Sequence, residues 1–169
     1  KEICFTEHRD FYFPGMDFSL NLPEYFQEIN RLQAEFKDKI KIKIGLEMGI
    51  DLRFKSEINQ FIDSAPFDFV IASVHEIGDI EVYDGTEFYL QKTKEEAQRE
   101  YLLACLDVVQ NFENYNSFGH LDYVARYGPY TDKSIKFAEN REILFKILRA
   151  LASKEKALEI NTRLFDDPK

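Results

Sequence analysis

The chain has 169 residues, three histidines, two cysteines and a formal net charge of −9. That length holds one domain with a sizeable core but is short for a complete α/β barrel, which takes roughly 250 residues. The acidic balance argues against a nucleic-acid-binding role, although divalent cations would still admit a small phosphorylated substrate. No apolar run approaches the roughly 20 residues of a membrane helix, and no basic-then-apolar leader is present. The expected address is therefore the cytoplasm, with no membrane partner. Cys4 and Cys105 match no CxxC or zinc-knuckle spacing and read as buried, reduced thiols.

Short apolar runs alternate with longer segments of helical period. Glu2 to Thr6 reads as a buried strand. Pro23 to Lys39 then spaces Tyr25, Phe26, Ile29, Leu32 and Phe36 by three or four, with Pro23 suited to a first helical turn. Ile40 to Leu46 is a strand with Lys41 and Lys43 on a solvated face, followed by a helix over Lys55 to Ser64. Phe67 to Val74 is almost wholly apolar, as expected of a strand covered on both faces. After a Gly/Asp-rich loop from Glu76 to Thr86 comes the longest helix, Thr93 to Phe112, which Thr93 and Glu96 open as a capping box. A short strand around Phe118, a loop from His120, a helix over Ser134 to Ser153 and a strand from Ala157 to Ile160 complete about five βα units. Such alternation predicts a parallel sheet, whose active site lies at the carboxyl ends of its strands.

That rim is where the reactive residues fall. His8, His75 and His120 each stand at or just past the end of an apolar run, and Glu47 ends a fourth. Singly, each has an ordinary reading: a hydrogen-bonded histidine, or a glutamate that caps a helix or pairs with a lysine. Jointly they supply imidazole and carboxylate donors without thiolate, a set that suits zinc, manganese or iron. Gly119 lets the backbone turn closely beneath a ligand. Asp122 could orient an imidazole or accept a proton. Arg126 could grip a phosphate with its planar fork, or lie stacked at the surface on Tyr123 or Tyr127. His75 to Asp79 suits either a substrate-facing loop or an ordinary turn.

Four segments carry a resemblance. Phe5-Thr6-Glu7-His8, Gly45-Leu46-Glu47-Met48-Gly49-Ile50-Asp51, Ala72-Ser73-Val74-His75 and Gly119-His120-Leu121-Asp122 occur in the order of motifs of the PHP (polymerase and histidinol phosphatase) superfamily. The Gly-Leu-Glu-x-Gly-x-Asp and His-Leu-Asp-x-x-x-Arg-Tyr forms are most similar to its histidinol-phosphatase branch. The resemblance implies a distorted (βα)₇ TIM-like barrel with up to three divalent metal ions at the carboxyl rim. It implies hydrolysis of L-histidinol phosphate to L-histidinol and phosphate, within histidine biosynthesis. By the same analogy Glu47 bridges two ions, His75 and His120 complete the second, and His8 holds the third. Arg126 and His8 stand at the phosphate, and Asp122 lies behind His120 or assists proton transfer.

Two departures qualify the match. The family's opening His-x-His strand and closing Asp-x-His strand have no counterpart here, and its Thr-Asp-His is Thr-Glu-His at Thr6 to His8. The expectation is a single PHP-like domain over residues 1–169, incomplete at both ends; unless a second copy in a homo-oligomer covers its unpaired edges, metal affinity and activity should be weak or absent. The rival readings are a PHP phosphoesterase for another small phosphorylated metabolite and an inactive assembly module.

Overall fold

The computed structural model of the protein describes residues 1–11, 19–82 and 87–162. Five parallel strands form one sheet in the order β1 (Glu2–Arg9), β2 (Lys41–Gly49), β3 (Phe69–Ser73), β6 (Ser117–Phe118) and β7 (Ala157–Leu158). Between them lie α1 (Leu22–Phe36), a 3₁₀ turn (Leu52–Phe54) running into α2 (Lys55–Asp63), α3 (Lys94–Asn111), the short α4 (Tyr123–Tyr127) and α5 (Phe137–Ser153). The fold is thus mixed α/β, with β1 and β7 as the two edges of an open sheet. No helix among the described residues is long and apolar enough to cross a membrane.

Register sorts the side chains by face. His8 pairs with Glu47, Glu47 with Ile71 and Ile71 with Ser117. With period-two alternation, Cys4, Thr6, His8, Lys43, Gly45, Glu47, Ile71 and Ser73 share one face. The other carries Ile42, Ile44, Leu46, Met48, Val70, Ala72 and Phe118, all buried. Tyr25 and Ile29 of α1 pack on Ile42 and Ile44, while Tyr101, Leu102 and Cys105 of α3 join the main core. The capping box at Thr93 and Glu96 is present.

Four expectations need correction, the first being the loop expected from His120, which holds the short helix α4. The opening strand runs on to Arg9 and is not buried: it is the sheet edge, and Ile3 and Phe5 are each 41% exposed. Cys4, on that strand, is accordingly only partly covered, whereas Cys105 is buried as expected. The loop after His75 contains a small hairpin, β4 (Glu76–Ile77) and β5 (Ile80–Glu81), which turns at Gly78 with φ of 65°. The rest of that predicted loop, positions 83–86, lies outside the described residues.

Candidate metal centre

Four strand ends deliver the site. Glu47 sits near the end of β2, His75 two residues past β3, His120 two residues past β6 and His8 at the end of β1. Tyr101, fully buried on α3, braces two of these ends: its hydroxyl lies 3.2 Å from the Val74 carbonyl and 3.3 Å from that of His120. The His120 amide donates to Glu159 Oε2 at 2.8 Å, which ties the end of β6 to the segment after β7.

The structure brings His8, Glu47, His75 and His120 together. Glu47 Oε1 lies 3.0 Å from His120 Nε2 and 3.4 Å from His75 Nε2, and the two imidazole nitrogens are 3.3 Å apart. Ser73 Oγ donates to the same carboxylate oxygen at 3.1 Å. Gly119 allows that arrangement: a Cβ there would strike Ser73 Oγ at 2.6 Å. On the other side of the His75 ring, Nδ1 lies 3.2 Å from His8 Nε2 and 3.0 Å from Asp10 Oδ1. Asp10 Oδ2 lies 2.8 Å from His8 Nε2. Two groups of potential cation donors result, Glu47–His75–His120 and His8–Asp10–His75, which share His75.

The electrostatics fit cations. Burial pushes the Glu47 carboxyl up, but hydrogen bonds with His120 and His75 outweigh it and hold the group well below the usual carboxylate range. Asp10 follows the same logic: burial raises it, and His75 and His8 bring it far down. Burial lowers the His75 imidazole, yet Asp10 and Glu47 push it up to about 9. The carboxylates of Asp10 and Glu47 favour a proton on the His75 ring, which a divalent ion would replace. Oxygen and imidazole donors within 4.8 Å of one another are the chemistry that zinc, manganese or iron accepts.

Asp10 escaped the sequence reading, although its spacing two residues past His8 at a strand end was the available signal. Tyr123 also joins the site, its ring 5.2 Å from that of His75 and 4.8 Å from that of His120. Arg126 shows the stacking expected of it, on a partly buried side chain. Its guanidinium lies over Tyr123 and Tyr127 at 5.7 and 5.9 Å, and its Nε and Nη2 are buried without a hydrogen-bond partner. Asp122 joins the cluster through no hydrogen bond or ion pair of its carboxylate; its carbonyl accepts the Ala125 amide.

The segment after His75 is more than a plain turn. Arg53 donates to the Gly78 carbonyl at 2.6 Å and to Asp79 at 2.8 Å while holding Asp51, which fastens the hairpin to the chain just past β2. Burial, followed by the charges of Asp51 and Asp10, pushes the half-buried Glu76 carboxyl on that hairpin up to about 7.

Comparison with known proteins agrees with this geometry. Residues 1–163 match the PHP domain family. The chain is 98% identical over 169 residues to the histidinol-phosphatase of Lactococcus lactis subsp. lactis, covering all of itself and 63% of that protein. It is 29% identical over 162 residues to a Clostridium acetobutylicum protein named "probable histidinol-phosphatase", covering 95% of itself and 61% of the relative. Among solved structures it resembles histidinol phosphate phosphatase of L. lactis, complexed with zinc, L-histidinol and phosphate. There the TM-score is 0.97 at 98% identity, over 99% of this chain and 64% of that one. The chain thus spans less than two thirds of the length of these curated relatives. With the family matched over nearly its whole length, the chain belongs to the PHP domain family.

Proposed function

We propose that this chain is part of a cytoplasmic metal-dependent phosphomonoesterase that hydrolyses L-histidinol phosphate to L-histidinol and phosphate. What carries the reading is the Glu47–His75–His120 group, found in a chain 98% identical to one crystallised with zinc, L-histidinol and phosphate. Zinc is the favoured ion, with manganese or iron accepted by the same donors and up to three ions in the whole domain. A divalent ion held there would supply positive charge to a phosphoryl oxygen and acidify water.

The chain's own residues divide the remaining work. Glu47 brings negative charge between the two imidazoles, and Ser73 holds one of its oxygens. His8 offers a donor for a further ion and stands next to the phosphate, with Asp10 Oδ2 2.8 Å from its Nε2. Arg126 grips the ester, since two buried guanidinium nitrogens without a partner among the described residues form a planar, anion-seeking fork that Tyr123 and Tyr127 hold in place. Asp122, two residues past His120, assists proton transfer to the departing alcohol.

The activity is assigned to the whole domain and not to these 169 residues alone. Ile3, Phe5, Leu158 and Ile160 are exposed at the two sheet edges, the last at 81%, and further strands would cover them. The test is made in the longer protein. Glu47→Ala or His75→Ala should abolish metal content and histidinol-phosphate hydrolysis together, and unimpaired hydrolysis in either variant would refute the assignment. A phosphatase panel that ranked another ester well above histidinol phosphate would move the same site to a different substrate.

A further inference from the structure

His75 presents a choice that the two donor groups cannot both win. A neutral imidazole has one nitrogen with a free lone pair; the other carries a proton. His75 Nε2 faces Glu47 Oε1 at 3.4 Å and His120 Nε2 at 3.3 Å, whereas Nδ1 faces Asp10 Oδ1 at 3.0 Å and His8 Nε2 at 3.2 Å. We propose that Asp10, seated against the bare Cα of Gly49, is a positioning residue that accepts the Nδ1–H of His75 and so turns Nε2 toward Glu47 and His120. This rests on the metal-centre reading above and deepens it.

The seat is visible in the packing. Asp10 is 6% exposed although it lies beyond the end of the edge strand β1. A Cβ built on Gly49 would fall on Asp10 Oδ1 and come within 3.2 Å of His75 Nδ1. Any side chain at position 49 therefore evicts the carboxylate or the ring. Gly49 ends β2, two residues after Glu47, so the strand that carries the carboxylate donor also makes room for the group that orients the imidazole donor. A carboxylate behind a metal-bound histidine fixes its tautomer and raises its basicity. His8 then remains on the far side of the ring, available to a different ion without sharing His75, and Asp10 Oδ2 holds it there at 2.8 Å from Nε2.

The test uses the longer protein that carries this chain, as wild type and as Gly49→Ala, Asp10→Ala and Asp10→Asn variants, with ring-nitrogen NMR of His75 and zinc titration by calorimetry. Without metal, the wild-type protein should show a slowly exchanging Nδ1–H on His75. It should be lost in Gly49→Ala and Asp10→Ala and partly kept in the near-isosteric Asp10→Asn, whose amide oxygen still accepts. Zinc affinity should fall about 10–100-fold in the first two variants with the number of ions unchanged. With zinc bound to the wild-type protein, Nε2 should be the nitrogen that loses its proton.

Retention of the ring signal and affinity in Gly49→Ala would overturn the proposal. So would a zinc-bound Nδ1, or loss of one whole ion in Asp10→Ala, which would make Asp10 a ligand. Failure of the wild-type protein to bind zinc would instead count against the metal-centre reading. The metal-free ring signals would still decide the role of Asp10.

Discussion

The middle of the sheet and its β1 edge supply donors to one rim under unlike conditions. Glu47 and His75 leave β2 and β3, each paired on both sides and backed by the buried residues of the core. His8 leaves β1, which pairs on one side only and leaves Ile3 and Phe5 41% exposed. In the middle, backbone neighbours and core packing fix where a donor stands. At the edge the donor depends on its own side-chain partners, and for His8 these include Asp10 at 2.8 Å. On the proposed reading, fold stability and metal affinity should draw mainly on the centre, with the edge adding a further and weaker set of candidate donors.

The sharpest way to break the contrast is to remove one ring from each region. Phe118, on β6, is fully buried in the main core, so Phe118→Ala should cost about 3–5 kcal/mol in denaturant unfolding. Phe5→Ala should cost roughly 1 kcal/mol or less, because much of that ring already meets water. Similar losses at the two positions would show that the edge is as firmly built as the centre.

The next largest effect concerns the donors themselves. Glu47→Ala should weaken zinc binding by about 100-fold or more, beyond the 10–100-fold typical of removing a group that only orients a ligand. His8→Ala should weaken total binding by roughly tenfold and spare the site at Glu47, His75 and His120. Calorimetric titration of both variants decides it, and equal losses would merge the two donor groups into one.

Tyr101→Phe then tests how the centre is braced. It removes the hydroxyl that serves the carbonyls of Val74 and His120; the latter still accepts the Tyr123 amide at 3.0 Å, so the loss falls mainly on the buried Val74 carbonyl. A loss of about 1–3 kcal/mol in unfolding is expected, together with a measurable fall in zinc affinity. Lost stability with unchanged affinity would show that this brace does not reach the donors.

The smallest effect is a pH slope. Without metal, the pairs around His75 contribute fully below its ordinary value of 6.5 and are lost as pH rises through about 9. Glu47 and Asp10 are shifted down, so their contribution is present above their ordinary values of 4.5 and 3.8 and fades as pH falls toward the depressed ones. Thermal melts of the metal-free chain should therefore drop between pH 6.5 and 9, and zinc, which displaces the proton on His75, should flatten that drop. A melting temperature that climbs over this range without metal would contradict the pairing.

Much of this was legible in the residues because strand ends are marked by composition. Phe67 to Val74 is apolar since the core covers it, and His75 follows directly; the same reasoning located Glu47 and His120. The exposure of β1 was not legible, because Ile3 and Phe5 look the same in a covered strand and in an edge strand. Asp10 was missed for a related reason: its value lies in touching His75, 65 positions away, across a gap that only Gly49 leaves open. The β4–β5 hairpin is two residues a side, too short for any periodicity, and its hold comes from Arg53.

The most direct test of the account is a crystal of this chain soaked in zinc and measured at the zinc absorption edge. The account predicts an anomalous peak bounded by Glu47 Oε1, His75 Nε2 and His120 Nε2. A zinc-soaked crystal with no peak there, or with zinc only at surface carboxylates, would contradict it.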